Sequence, residues 1–216
     1  MPFSKFTPSD KEPSLVDQLC SQYKLNAGQQ RAFHIITLHV EQGEKRPLRM
    51  YVGGAAGTGK STLIHAVTDF FGRKGSSQRL RLTSYMGVAA KNINGMTLHS
   101  ALQLSQKHRS STATNNLIAM WQGVDYLLVD EVSMLGCNFL AELSESLSIA
   151  KGNPEAFRGM NVIFLGDFAQ LPPVGQSRLF THLDTQRISN KIGQLDMFGK
   201  LLWLSVDVII ILQDIV

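Results

Sequence analysis

Gly54-Ala55-Ala56-Gly57-Thr58-Gly59-Lys60-Ser61, followed by Thr62, carries the clearest chemistry in this sequence. The spacing is GxxxxGK[ST], in which glycines let the backbone curl until successive N–H groups point at phosphate oxygens. The Lys60 ammonium is then expected at the β- and γ-phosphates of a nucleotide, and the Ser61 hydroxyl on Mg²⁺. A second motif, YLLVDE, ends in Asp130 and Glu131. Adjacent carboxylates at a strand end are costly unless something positive joins them. Asp130 is expected to hold Mg²⁺ through its water shell, and Glu131 to polarise an attacking water. A third, GDFAQLPPV (166–174), offers Gln170 to the γ-phosphate or its water, with Pro172–Pro173 stiffening the exit. A phosphotransferase needs no water activator, so the acid pair favours hydrolysis.

These motifs need a scaffold that brings strand ends together. RMYV (49–52) is a short apolar run stopped by Gly53–Gly54, and STLIHAVTDFFG (61–72) reads as the helix after the phosphate loop. LRLTS (80–84), YLLVD (126–130) and NVIFLG (161–166) read as further strands. LNAGQQRAFHIITLHVEQG (25–43), GVAAKNI (87–93) and Met134–Ala150 read as helices, with Asn26 able to cap the first. Short apolar strands alternating with helices imply right-handed βαβ units, hence an α/β fold with a parallel sheet covered on both faces. Residues 1–24, with Pro2, Pro8 and Pro13, read as a loose arm. The basic Ser/Thr-rich stretch at about 104–118 reads as an exposed loop or small insertion.

The charge is unevenly spread. The net value is only +4, yet Phe70 to Val124 contains no Asp or Glu while carrying seven Lys or Arg, among them Lys107 and Arg109. Such a one-sign segment suggests a polyanion partner. Membrane and secreted classes are excluded: the most apolar window, Leu201–Leu212, is broken by Ser205 and Asp207, and the N-terminus has no apolar core. Cys20 and Cys137 lie far apart without metal spacing and read as two reduced thiols of an intracellular protein.

LNAGQQRAF, GGAAGTGKST, GVAAKNINGMTLHSAL, LLVDEVSML and VIFLGDFAQLPPV, in that order, resemble the petite-integration-frequency (Pif-type) DNA helicases. These are superfamily 1 motors, close to those encoded by Helitron transposons. The resemblance implies a P-loop NTPase with a RecA-like lobe over residues 25–216, ATP and Mg²⁺ as cofactors, and single-stranded or forked DNA as partner. It also implies DNA repair, recombination and telomere maintenance, in the nucleus or mitochondrion. By the same resemblance, Gln29 reads the adenine edge. Gly54 to Thr62 bind phosphate, Asp130 and Glu131 serve magnesium and water, and Gln170 senses the γ-phosphate. Thr83, Tyr85, Gly87, Thr97 and His99 line the DNA path, which the acid-free window also contains.

Two departures stand out. Where the family usually reads A-P-T-G, this chain reads Ser84-Tyr85-Met86-Gly87, which shifts the expected DNA contact towards stacking on Tyr85. The family also has a second RecA-like lobe, expected to be absent from these 216 residues, so that it must come in cis or in trans. The competing expectation is a non-motor fragment that binds nucleotide or DNA without turnover.

Overall fold

The structure, a computed structural model, describes residues 12–103, 111–152, 155–182 and 190–215. Six strands form one sheet: β1 (Arg49–Gly54), β2 (Leu80–Ser84), β3 (Met96–Thr97), β4 (Tyr126–Asp130), β5 (Asn161–Gly166) and β6 (Val208–Leu212). Their order is β3-β2-β4-β5-β1-β6, and every pairing is parallel. The apolar runs serve both faces because successive side chains point to opposite sides. Met50 and Val52, Tyr126 and Leu128, and Ile163 and Leu165 join one core; Tyr51, Leu127 and Val129, and Val162 and Phe164 join the other.

The first core packs under α1 (Leu15–Gln22), α2 (Ala27–Gln42) and α3 (Lys60–Arg73). The second packs under α5 (Leu98–Leu102), α6 (Ser111–Trp121), α7 (Cys137–Lys151) and α8 (Lys191–Leu204), while the short α4 (Gly87–Asn92) follows β2. β1, β2, β4, β5, α2 and α3 fall where the sequence pattern puts them, within two residues, whereas the two-residue β3 has no apolar run to mark it. β6 forms an edge, with Ile209 and Ile211 exposed. Among the described residues no helix is long and apolar enough to cross a membrane.

Three expectations are corrected. The arm is not loose throughout: Leu15–Gln22 is a helix whose Ser14 and Asp17 cap each other, and Leu19 is fully buried. Pro13 precedes the cap and so breaks nothing. The Ser/Thr-rich insertion is helical from Ser111, with Ala113, Leu117 and Trp121 buried at intervals of four; its residues 104–110 lie outside the described residues. The helix expected from Met134 begins only at Cys137, after a 3-10 turn at Val132–Met134 and an extended Gly136.

Helix α8 was not legible because glycines dilute its pattern. One of them has a positive use: a Cβ on Gly199 would lie 1.9 Å from the Cys137 carbonyl oxygen, so α7 and α8 pack closer there than any side chain allows. Trp121 is core, its indole N–H donating to the Ala101 carbonyl at 3.0 Å under the Arg81 guanidinium.

Candidate active site

Parallel pairing aligns the strand ends. Gly53 of β1 lies beside Gly166 of β5, and Ser84 of β2 beside Asp130 of β4, so all three motifs meet at the carboxyl edge. The loop from β1 into α3 turns through left-handed Gly57 and Gly59, at φ 83° and 77°, which favour glycine. Gly54 is held to a bare backbone, since a Cβ would sit 2.5 Å from Thr58 Oγ1. Thr58 is buried and donates its hydroxyl to the Ala55 carbonyl at 2.8 Å, while Ala55, Ala56, Gly57 and Ser61 are exposed and Thr62 half-buried. The Lys60 ammonium is fixed at the loop's centre, donating to the carbonyls of Gly54 (2.6 Å) and Ala55 (3.0 Å).

Gln29 is buried beneath this loop. Its Nε2 donates to the Thr58 and Gly59 carbonyls at 3.2 and 3.1 Å, and its Oε1 accepts from the Asn26 N–H at 2.8 Å. Both ends of the amide are thus committed, to the loop and to the α2 cap. Gln29, expected to read adenine, here braces the phosphate loop. Gln29→Ala removes a donor from the Thr58 and Gly59 carbonyls, the latter keeping the Leu63 N–H at 3.1 Å, and takes away the acceptor of the Asn26 N–H. We expect ATP and GTP affinity to fall together, by about tenfold, since an orphaned buried group costs roughly 1–3 kcal/mol. Loss of ATP affinity alone, in parallel titrations with both nucleotides, would restore the adenine role.

Asp130 is buried at 7% exposure and joins no ion pair among the described residues. Burial pushes its carboxyl up to about 6, helped by the neighbouring Glu131 charge and opposed by a backbone hydrogen bond and Lys60. Glu131 takes a left-handed conformation at φ 58°, a strained geometry for a non-glycine residue. The donor set suits Mg²⁺: a buried carboxylate that joins no ion pair among the described residues and the Ser61 hydroxyl are hard oxygen ligands. No cluster of three His, Cys, Asp or Glu exists among the described residues.

Gln170 lies exposed on a turn that Asp167 ties together, accepting from Ala169 N–H through Oδ1 and from Gln170 N–H through its carbonyl, both at 2.9 Å. Gln170 and Glu131 line one cleft of about 410 Å³, together with Met86, Val88, Ala89, Asn92, Ser133, Met134 and Leu171. Two positioning groups and one unpartnered hydroxyl escaped sequence reading. Tyr51 donates its hydroxyl to the Gly166 carbonyl at 3.3 Å, and Ser84 donates to the Asp130 carbonyl at 3.3 Å. Ser133 is buried at 4%, and its hydroxyl has no partner among the described residues. The only signal for Tyr51 and Ser84 is a hydroxyl inside a strand.

The expected DNA-lining residues divide. Thr83 is fully buried, its hydroxyl given to the Leu128 carbonyl at 2.8 Å, so it is removed from the path. Thr97 is half-buried and caps α5 by accepting from the Ser100 N–H at 3.2 Å. Tyr85 is half-buried, its ring packed at 5.5 Å from those of both Phe139 and His99, so it is no free stacking platform. Gly87 and His99 are exposed. Lys107 and Arg109 lie outside the described residues.

Residues 24–192 match the family profile described as PIF1-like helicase. The ATP-dependent DNA helicase RRM3 of Saccharomyces cerevisiae is 30% identical over 139 residues, covering 61% of this chain and 19% of its own. Among solved structures, the Pif1 helicase from Candida albicans superposes with a TM-score of 0.63 at 26% identity, over 89% of this chain and 40% of that one. Pif1 helicase from Bacteroides in complex with ADP-AlF3 and ssDNA gives 0.64 at 23% identity, over 89% and 42%. The chain spans about a fifth of the length of the curated relatives it matches.

Proposed function

This chain belongs to the PIF1-like helicase family and has its RecA-like lobe fold, and we propose that it is the nucleotide-hydrolysing lobe of an ATP-dependent DNA helicase. The observation that carries this reading is the meeting of Lys60, Asp130, Glu131 and Gln170 at one sheet edge, with Glu131 and Gln170 in a single cleft. Lys60 and the loop N–H groups hold the phosphates, and Asp130 with Ser61 holds Mg²⁺. When bound, that ion neutralises charge on the phosphate oxygens. Glu131 takes the proton of a water aligned behind the γ-phosphate, and Gln170 orients that water and registers its departure. A second RecA-like lobe, in the same polypeptide or another, completes the motor by closing over this edge. An arginine brought in by such closure is worth roughly 10³–10⁵ in rate in related hydrolases.

The relative's complex with ADP-AlF3 and ssDNA supports nucleotide and single-strand binding by this chain too. Repair, recombination and telomere maintenance, in nucleus or mitochondrion, are the settings proposed for such a motor. The test is ATP hydrolysis with and without oligothymidylate: stimulation is expected, and indifference to DNA favours a nucleotide-binding fragment without a motor role. Single-strand affinity should also be sequence-tolerant and fall with salt, with a log–log slope of roughly −0.7 per phosphate neutralised. A flat salt titration would exclude a phosphate-led interaction.

A further inference from the structure

β2 is an inner strand for only part of its length. β4 pairs with it along Leu80–Ser84, but on the other side β3 reaches only Thr83 and Ser84. Leu80, Arg81 and Leu82 have no strand beside them there among the described residues, and all three are half-buried. Gly95 closes one end of this open edge, where a Cβ would lie 2.6 Å from the Leu82 carbonyl oxygen. The edge lines a groove of about 420 Å³, bordered by Gln78, Asn94, Met96 and Gln122.

An exposed strand edge is ordinarily guarded by a charge held out in solvent. Arg81 is not held out. Its Nη2 donates to the Met120 carbonyl at 2.5 Å, and its guanidinium lies 5.5 Å from the centre of the Trp121 ring. The fork is folded against α6 and leaves the backbone edge clear. Burial pulls the guanidinium below its ordinary pKa, and no ion pair among the described residues answers its charge. Every residue lining the groove belongs to the acid-free segment from Phe70 to Val124.

Strand side chains alternate between faces. Arg81 lies on the face of Trp121, whereas Leu80 and Leu82 pack towards the core under α1, α2 and α3. A chain laid along this edge as a further strand therefore presents one residue to Arg81 and its two neighbours to the leucines. A nucleic-acid strand has a phosphate for Arg81 but lacks the regularly spaced N–H and C=O groups that a sheet edge pairs with.

We propose that the open edge of β2 docks an extended segment of a partner protein, in which an Asp or Glu meeting Arg81 stands between two apolar residues meeting Leu80 and Leu82. The added strand pairs through its backbone, and its carboxylate supplies the guanidinium fork with the anion it lacks. Leu80 and Ser84 stand about 13 Å apart along β2, so a docked segment leaves the edge that carries Asp130 open to nucleotide.

The test uses the full chain and a fluorescent capped peptide, Lys-Thr-Val-Glu-Val-Thr-Lys, beside its Val-Gln-Val counterpart. The terminal lysines keep it from binding merely as a polyanion. The glutamate peptide should bind roughly tenfold tighter than the glutamine one, about what a hydrogen bond to a charged group contributes. Arg81→Met keeps an apolar stem over Trp121 and should erase that difference. Chemical-shift changes on binding should centre on Leu80–Leu82 and Met96. No binding, equal affinities for the two peptides, or shift changes centred elsewhere overturn the docking site, and all three are read on the unsubstituted chain even where Arg81→Met fails to fold. Displacement of the peptide by oligothymidylate, with shift changes at the same residues, also overturns it and gives the groove to nucleic acid. No arm measures hydrolysis, so each of these outcomes leaves the helicase reading standing.

Discussion

Glu131→Gln should leave nucleotide affinity close to the parent's and slow hydrolysis by roughly 10²–10⁴, the usual contribution of a positioned general base. The amide keeps the size and the left-handed backbone at φ 58° but cannot accept the water's proton. That backbone is held from both sides, by β4 ending at Asp130 and by the 3-10 turn starting at Val132, so the variant has no cheaper conformation to relax into. Lys60→Ala should behave in the opposite way. It removes the cation fixed between the Gly54 and Ala55 carbonyls, and binding should go with it. Single-turnover hydrolysis beside titration with a fluorescent ATP analogue separates the two. Hydrolysis by Glu131→Gln at the parental rate would move the base role to another group.

Asp130→Asn should make the nucleotide-free protein more stable at pH 8 while weakening its response to Mg²⁺. The folded carboxyl titrates at about 6, above the usual 3.8, so the folded state holds its proton more tightly than the unfolded chain does. Stability therefore falls as pH rises through the window from about 4 to 6, and the full penalty, at most about 3 kcal/mol, persists above it. The amide carries no charge to desolvate. The melting temperature should rise by roughly 5–10 °C at pH 8 and hardly change at pH 4. Magnesium with nucleotide should restore the parent towards the variant. A variant equally stable or less stable at pH 8 would show that the carboxylate is already compensated.

Much of this molecule was legible because its strands are short and largely apolar, and β1, β4 and β5 end at glycines or acids. β2, β4 and β5 match their sequence limits to the residue. The phosphate loop was legible for a related reason, since its function lies in backbone geometry that only particular residues permit. What escaped was side-chain direction. Thr83 and Gln29 stand in motifs tied to ligands, yet both turn inward and satisfy backbone carbonyls. The hydroxyls of Ser84 and Ser133 differ in fate, one paired and one without a partner among the described residues, although neither neighbourhood announces it. Helix α1 escaped because the prolines marked a loose arm, and α8 because glycines dilute its apolar pattern; in the fold Pro13 lies just outside its helix and Gly199 serves close packing.

The sheet order has a consequence for the order of synthesis. β1, which carries the phosphate loop, is flanked by β5 and β6, neither of which pairs with it until more than a hundred further residues have been made. At roughly 5–20 residues per second, the loop waits on the order of 5–20 s after translation before its first neighbour exists. β2 and β4 meet sooner and can pair while β1 is still without a partner in the sheet. The ribosome thus delivers the nucleotide-binding element among the first parts of the lobe and fixes it among the last, and nucleotide has no finished site on the nascent chain until β5 has emerged.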